Sequence, residues 1–346
     1  MLSMNKKVLL GLSGGVDSSV AMHLLQEKGY YVEAACIDFS PCHSTAVSAA
    51  KKSAELLGIK LHIIECHKEF DKKVITPFCD WYLNGKTPNP CIFCNREVKF
   101  QKLLEKADEL GFDNIATGHY AQIVKSKENY FIKKASFLPK DQSYMLYRLS
   151  QNQLSRLVLP LECYSKEQIR EIASNLGLHC ANAPDSQEIC FIQGETYSDY
   201  IENRFGKSKI GSFISPDGEI VSQHKGIIHY TVGQRKGLGL SLGYPVFIKS
   251  IDAETGNIYL GKKGEPCKQD ILITDCIFPI NYKIGDKLEC SAKVRYSVGE
   301  KSCIATIIDN NKMTLHFTEP QTNACCSGQS CVIYNNNCVI GGGYIV

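Results

Sequence analysis

The stretch Gly11-Leu-Ser-Gly-Gly-Val-Asp-Ser-Ser-Val20 decides the fold expected for this chain. It follows the apolar run Val8-Leu-Leu10, which predicts a buried strand, and it leads into the helical pattern of residues 18–28. Gly14 and Gly15 allow a tight turn whose N–H groups point inward, and the N-terminus of a helix carries partial positive charge. A strand, a glycine turn and a helix in this order predict a phosphate-binding loop.

Two common nucleotide loops do not match. The lysine of the Walker A loop is missing, and the dinucleotide fingerprint G-x-G-x-x-G cannot be laid over these residues. The stretch resembles instead the Ser-Gly-Gly-x-Asp-Ser loop of the ATP pyrophosphatase (PP-loop) family, which splits ATP between the α and β phosphates to adenylate an oxygen of a second substrate. This resemblance implies that Asp17 serves Mg²⁺. It also implies an ATP site made of Gly11, Leu12, Ser13, Gly14, Gly15, Val16, Asp17, Ser18, Ile37 and Gly118.

Composition limits the class of protein. The chain has 346 residues, enough for two or three domains, with 44% apolar and 22% charged residues, as in ordinary globular proteins. It has no apolar run of 18 residues and no signal-peptide pattern, so we expect a cytoplasmic protein without a membrane span. Its 17 cysteines are scattered, which predicts reduced thiols. The net charge of +3 comes from residues 201–346.

The predicted elements change in character near residue 200. Helical and strand patterns alternate before it, which predicts a parallel sheet, whereas short alternating runs such as Lys225–Thr231 follow it and predict antiparallel β structure. We therefore expect an α/β fold. It comprises a parallel-sheet PP-loop domain over residues 1–200, a small β-rich domain over 201–265 and a C-terminal β-barrel over 266–346.

Two cysteine positions are candidates for chemistry. Cys91-Ile-Phe-Cys94 follows a loop and precedes the amphipathic pattern of residues 95–110, so Cys94 is predicted at a helix N-terminus, where the pKa of a thiol falls. Cys190 lies in a short apolar run, Ser186–Ile192, that predicts a strand, and a cysteine there is usually inert core.

A metal site is an alternative use of these thiols. The Cys91-x-x-Cys94 pair is typical of a redox pair or of half a zinc site, which Cys42-His43 or Cys66-His67 would complete. Cys91, Cys94 and Cys190 together would suit an iron–sulfur cluster with one open iron position. We do not favour zinc, since no second cysteine pair has finger-like spacing. The cluster is not favoured either, but it stays open as a variant mechanism.

Seven blocks in order resemble the tRNA-specific 2-thiouridylase (MnmA) family over almost the whole chain. They are Gly11–Val20, Thr87–Asn95, Ala116–Ala121, Lys140–Tyr144, Cys190–Ile192, Thr231–Gly239 and Ile340–Ile345.

The resemblance implies an activity. Members adenylate the C2 oxygen of the anticodon wobble uridine in tRNA-Lys, tRNA-Glu and tRNA-Gln with ATP, and a persulfide sulfur then replaces it, giving 2-thiouridine, AMP and pyrophosphate. By this resemblance Cys190 carries the persulfide and Cys94 is the nucleophile. Cys94 either attacks the activated base or releases sulfide by forming a transient disulfide with Cys190. The sulfur would come from a cysteine desulfurase or a sulfur-relay protein.

The same resemblance implies contacts with tRNA. Asn89, Pro90 and Cys91 match the segment that faces the target base. The other matching tRNA positions are His119, Lys140, Asp141, Gln142, Arg295, Tyr296 and Gln329.

Two other functions stay open from the residues alone. An adenylating enzyme of another kind, such as an ammonia-using synthetase, would need the same loop, but it would not need Cys94 with Cys190. A noncatalytic RNA-binding protein stabilised by zinc would need the cysteines without the ATP site.

Overall fold

The computed structural model describes residues 6–181, 189–262, 265, 269–319 and 325–346. Their contacts group the chain into two compact units, which are described separately. Unit 1 consists of Met1–Val74, Cys91–Gln193 and Asn336–Val339, and unit 2 consists of Ile75–Pro90, Gly194–Asn335 and Ile340–Val346.

Unit 1 is built on a five-stranded sheet in the order β3-β2-β1-β4-β7, and every pairing in it is parallel. The predicted parallel sheet is confirmed. The order reverses between β1 and β4, and ligands bind at such switch points outside the carboxyl ends of the strands. The strands are β1 Lys7–Gly11, β2 Tyr31–Asp38, β3 Leu61–Glu65, β4 Asn114–Thr117 and β7 Leu157–Val158. 

The helices of this unit cover the sheet, and their apolar faces form one core with it. Val20, Leu25 and Ala173 are fully buried in that core. The α-helices are α1 Val16–Glu27, α2 Ser44–Leu56, α3 His67–Phe70, α5 Pro90–Cys94 (whose first residue belongs to unit 2), α6 Phe100–Leu110, α7 Ser143–Leu146, α8 Gln151–Arg156 and α9 Lys166–Asn175. Short 3-10 turns cover Pro41–His43 and Leu138–Lys140, and π-helical turns cover Asp71–Ile75 and Asn95–Lys99.

A hairpin completes unit 1. Strands β5, Ala121–Ser126, and β6, Asn129–Lys134, pair antiparallel, and Lys127 takes a positive φ of 54° in the turn between them. Lys133 of β6 also pairs with Cys338, a residue of the same unit.

Unit 2 contains two β structures and two helices, α4 Thr76–Leu83 and α10 Tyr197–Phe205. Four strands form a sheet in the order β10-β11-β8-β9. Their bounds are β8 Gly211–Ile214, β9 Ile220–His224, β10 Val246–Ile251 and β11 Ile258–Lys262. The strand predicted over Lys225–Thr231 is wrong, because Ile227–His229 form a 3-10 turn. Ile227 and Ile228 are both buried there, whereas consecutive residues of a half-buried strand would alternate between buried and exposed.

The C-terminal part forms the expected barrel. Six strands follow one another in the order β12-β15-β14-β13-β16-β17, and β12 pairs back onto β17 to close the ring. Closure removes free sheet edges, and side chains such as Ile273, Met313 and Phe317 fill the interior. The strands are β12 Asp270–Ile277, β13 Lys287–Lys293, β14 Lys301–Asp309, β15 Lys312–Phe317, β16 Ser330–Asn335 and β17 Cys338–Ile345. 

None of the helices in the described residues combines the length and the apolar character that crossing a membrane requires.

Candidate active site

A cavity of about 240 Å³ in unit 1 opens where β1, β2 and β4 end. Seven of the residues predicted to bind ATP line it, whereas Gly14, Gly15 and Val16 shape the loop without lining the cavity. The seven are Gly11, Leu12, Ser13, Asp17, Ser18, Ile37 and Gly118.

The loop takes its shape from glycine and from internal hydrogen bonds. Gly14 has a φ of +78°, and a Cβ there would lie 2.6 Å from the backbone nitrogen of Ala50 in α2, so no other residue fits. The Ser18 hydroxyl accepts from the Ser13 N–H at 3.2 Å and donates to the Gly15 carbonyl at 3.1 Å. Ser19 is fully buried, and its hydroxyl also donates to the Gly15 carbonyl, so Ser19 stabilises the loop from the protein interior.

The loop leaves the start of α1 open to a ligand. The first N–H groups of any helix have no partner within the helix. The N-cap residue Gly15 has no side chain that could accept from them, so they remain open to a ligand. Gly118, at the end of β4, approaches this turn so closely that a Cβ would lie 2.8 Å from the backbone nitrogen of Ser18. This cradle of N–H groups fits the phosphates of ATP.

Asp17 has two partners that the sequence did not reveal. The ammonium of Lys166 donates to both carboxylate oxygens, at 2.7 and 2.8 Å, and the Tyr120 hydroxyl donates to Oδ1 at 2.6 Å. Lys166 is the first residue of α9. The sequence pattern Ser165-Lys-Glu-Gln168 forms the capping box that fixes the start of this helix. Only 8% of the Lys166 side chain is exposed, against 32% for Asp17.

Two residues assigned to tRNA by resemblance line this cavity. His119 and Gln142 line it, and the Gln142 side chain accepts from the Tyr120 N–H at 2.9 Å. His119 stacks on Phe100 and its Nδ1 lies 2.7 Å from the Thr117 hydroxyl. Desolvation, and then the charge of Lys99, hold the pKa of His119 well below its ordinary value, so its ring is neutral at neutral pH. 

The remaining unit 1 positions have different settings. Lys140 ends a 3-10 turn, and Asp141 follows it. The carboxylate of Asp141 accepts from the Ala135 N–H and from the N–H and hydroxyl of Ser143, so Asp141 stabilises this turn.

Four cysteines of unit 1 lie close together. The charges of Cys190, Cys91 and Cys66 all act on the thiol of Cys94, which is 8% exposed. Cys91 and Cys190 are exposed, and Cys66 is buried. The thiols of Cys94 and Cys190 therefore lie within range of each other's charge, and both are free in this structure.

The predicted low pKa of Cys94 is wrong. The helix starts at Pro90, and the helical backbone continues through Cys94 to Leu110, so Cys94 lies a turn inside the helix rather than at its N-terminus. Burial therefore dominates, and desolvation raises the pKa of this thiol well above its ordinary value, with only Lys99 opposing it.

The predicted strand at Cys190 is also not found in its described part. Residues 182–188 lie outside the described residues, and Cys190 and Phe191 form a turn in which the Ile192 N–H donates to the Ile189 carbonyl. Phe191 packs edge-on against Phe70, with 5.7 Å between the ring centroids. Its apolar ring is therefore buried against another ring without being part of a strand. Desolvation raises the pKa of the Cys190 thiol to about 11.

Neither metal alternative gains support. Within the described ranges, no group of three or more His, Cys, Asp or Glu side chains is arranged to hold a metal ion. Asp17 is the one carboxylate among the described residues that line the cavity. Mg²⁺ on a nucleotide needs few protein ligands because phosphate oxygens and water supply the rest.

Asn89 is half-buried and Pro90 is buried in unit 2, immediately before Cys91 in the chain. Arg295, Tyr296 and Gln329 also belong to unit 2. These three residues differ in how much of each is exposed to solvent.

Tyr296 is exposed, with the ammonium of Lys293 5.2 Å from its ring centroid. Arg295 is half-buried and donates to the sulfur of Cys326. Gln329 is buried, and its side-chain amide donates to the Thr87 carbonyl at 2.8 Å. This hydrogen bond stabilises unit 2 and leaves little of the Gln329 side chain accessible to RNA.

Lys99, Lys166 and Tyr120 are the site residues that sequence reasoning missed. Lys99 lies five residues after Cys94 in the same helical run, and this spacing was the only signal available for it. Lys166 and Tyr120 reach Asp17 from 149 and 103 positions away, and no local pattern predicts such contacts.

Family models match the chain along its length. Residues 6–194 match a tRNA methyl transferase HUP domain, residues 198–262 a tRNA methyl transferase PRC-barrel domain, and residues 268–345 an aminomethyltransferase beta-barrel domain. Together they cover both β structures and the parallel sheet. The predicted α/β fold with a central β domain and a C-terminal barrel is confirmed.

Full-length relatives and one solved structure are similar to the chain. A tRNA-specific 2-thiouridylase from Acetivibrio thermocellus is 42% identical over 98% of this chain and 99% of the relative. One from Clostridium botulinum is 42% identical over 98% of each chain. A 4-thiouridine synthetase in complex with RNA and ATP is 21% identical, covers 54% of this chain and 45% of the synthetase, and has a TM-score of 0.39, which carries no conclusion here.

These two relatives are each 42% identical to the chain over 98% of its length. The chain belongs to the tRNA-specific 2-thiouridylase family.

Proposed function

We propose that this chain replaces the C2 oxygen of the wobble uridine with sulfur in tRNA-Lys, tRNA-Glu and tRNA-Gln, at the expense of ATP. The observation that carries the proposal is the placement, within one unit, of a phosphate-binding loop and the thiols of Cys94 and Cys190. Adenylation chemistry needs the first and sulfur transfer needs the second.

The loop serves the first step. The uracil C2 oxygen attacks the α-phosphorus of ATP and pyrophosphate leaves, which converts a poor leaving group into AMP. N–H groups at the start of α1 hold the phosphates, and Ile37 forms part of the apolar wall for the base. Bound Mg²⁺, held by Asp17, would offset the negative charge of the phosphates.

The cysteines serve the second step. A donor, a cysteine desulfurase or a sulfur-relay protein, loads a sulfane sulfur onto Cys190, giving Cys190–S–SH. Cys94 then loses its proton and attacks the inner sulfur, so the Cys94–Cys190 disulfide forms and hydrosulfide leaves. The hydrosulfide attacks C2 of the adenylated uracil and AMP departs. An external thiol reductant supplies two electrons to regenerate both thiols.

The boundaries near residues 200 and 265 and a cytoplasmic location belong to the same proposal. The matched family ranges break near these boundaries. A catalytic disulfide that must be reduced in every cycle suits a reducing compartment.

The direct test uses unmodified tRNA-Lys transcript, ATP, Mg²⁺, a cysteine desulfurase and labelled cysteine. We expect digestion and mass spectrometry to find 2-thiouridine at the wobble position, with AMP released in equal amount. Released AMP together with an aminated product when ammonia replaces the sulfur donor would favour an ammonia-using synthetase. Absence of both products would rule out an adenylating enzyme.

A second prediction concerns the barrel. Arg295→Ala should weaken tRNA binding and lower the salt dependence of the affinity by about one phosphate contact, because each lost contact releases one fewer counterion. Lys312→Ala is the matched control, since Lys312 is an exposed cation of the same barrel that no family block includes. Filter binding between low and high salt measures both slopes. Equal slopes for Arg295→Ala and the unaltered protein would place the RNA elsewhere.

A further inference from the structure

One cation, Lys99, contributes to both the nucleotide cavity and the cysteine cluster. It lines the cavity together with Asp17 and His119. Its charge also opposes the rise in the pKa of Cys91, Cys94 and Cys190, which desolvation causes in each case. For Cys91 and Cys94 it is the only group that acts in this direction.

Among the described residues that line the cavity, no other side chain supplies a positive charge at neutral pH. Desolvation lowers the pKa of His43, and desolvation with the charge of Lys99 lowers that of His119, so both rings are neutral. Asp17 is negative and already accepts from Lys166. A bound triphosphate therefore meets one free ammonium, because no carboxylate among the described residues pairs with Lys99.

The backbone explains how Lys99 reaches the thiols. In an α-helix, five residues advance about 500°, so Lys99 would point about 140° away from Cys94. Residues Asn95–Lys99 form a π-helical turn instead, in which the Phe100 N–H donates to the Asn95 carbonyl five residues back. A π-helical turn takes more residues than an α-helical turn, so Lys99 lies closer to the face of Cys94 than a regular α-helix would place it.

We propose that Lys99 is a positioning residue for both halves of the reaction, binding the phosphates of the nucleotide in the cavity and stabilising negative charge on the sulfur atoms of Cys94 and Cys190. The proposal rests on the function proposed above and names a residue that acts on the same site. An ammonium beside a phosphate forms a charge-assisted hydrogen bond, and an ammonium near a buried sulfur favours the thiolate.

The test compares Lys99→Met with Lys99→Arg, which keeps the charge. Lys106→Met is the matched control, because Lys106 lies on the same helical run and pairs with Glu109. The first readout is the rate of Cys190 alkylation by iodoacetamide from pH 7 to pH 10, without nucleotide or tRNA, located by peptide mapping. The second is the affinity for a non-hydrolysable ATP analogue by calorimetry.

We expect Lys99→Met to slow Cys190 alkylation roughly tenfold at pH 8, since one unit of pKa changes the thiolate fraction tenfold. The analogue should bind roughly tenfold more weakly. Lys99→Arg should stay within about threefold of the unaltered protein in both readouts, and Lys106→Met should match it. If Lys99→Met does not fold, as circular dichroism would show, Lys99→Gln takes its place in both measurements.

An alkylation rate that does not change in Lys99→Met, or an unchanged affinity for the analogue, would overturn the shared role. Neither readout needs tRNA, a sulfur donor or turnover. The two readouts for Lys99 can therefore fail while 2-thiouridine forms, and a failure to form 2-thiouridine leaves both readouts measurable, so the two failures are distinguishable.

Discussion

Cys94→Ser should accumulate a persulfide on Cys190 and make no 2-thiouridine. A serine hydroxyl cannot attack the persulfide to form a disulfide, so sulfur that has been loaded stays on Cys190. Cys190→Ser should take up no label from a cysteine desulfurase, because a hydroxyl does not hold sulfane sulfur. Labelled cysteine followed by peptide mapping measures loading, and nucleoside mass spectrometry measures the product. Each variant should lose thiolation completely.

Cys163→Ser is the control for this experiment, because Cys163 is an exposed cysteine of the same unit that no proposed step uses. The unaltered protein, stopped after one turnover without reductant, should contain a Cys94–Cys190 disulfide. If Cys94→Ser fails to load sulfur, or if active anaerobic protein holds iron on these cysteines, the persulfide scheme is wrong and a cluster mechanism should replace it.

The second large effect is expected at Asp17. Asp17→Asn keeps the shape of the side chain but removes its charge, so it should lower tRNA-dependent AMP release by about 100-fold or more while tRNA binding stays nearly unchanged. Thin-layer separation of AMP from ATP measures the release. Normal AMP release from Asp17→Asn would remove Asp17 from the adenylation step.

Stability must be measured with this variant, because Asp17 is the partner of the buried Lys166 ammonium. Breaking a fully buried pair costs about 3–5 kcal/mol, and the partial exposure of Asp17 reduces this to about 1–3 kcal/mol. Lys166→Met should destabilise the protein to a similar extent. The double variant should lose less than the sum of the two, which urea unfolding of all four proteins would show. Strict additivity would mean that the pair contributes no coupling.

Sequence reasoning succeeded where a property depends on neighbouring residues in the chain. Gly14 in the turn, the capping box at Ser165 and the parallel order of the first strands follow from local patterns. It failed for Cys94, because a break was expected before Asn95 and the helix instead starts at Pro90. The strand predicted at Cys190 was wrong because an apolar run favours a strand, whereas Phe191 lies in a turn and packs against Phe70.

By itself, the sequence determined the phosphate-binding loop, the α/β and barrel architecture, and the positions of the cysteines for which sulfur chemistry is proposed. Each of these is a matter of residue type and spacing along the chain. Only the tertiary structure decided the charges around them, because desolvation and long-range pairing depend on how distant segments pack. The helix start at Pro90 and burial raise the pKa of Cys94, and packing from 149 positions away pairs Asp17 with Lys166. Lys99 lies in a π-helical turn, which no residue pattern predicts, and it lines the cavity. We propose that the same turn also directs Lys99 toward the thiols.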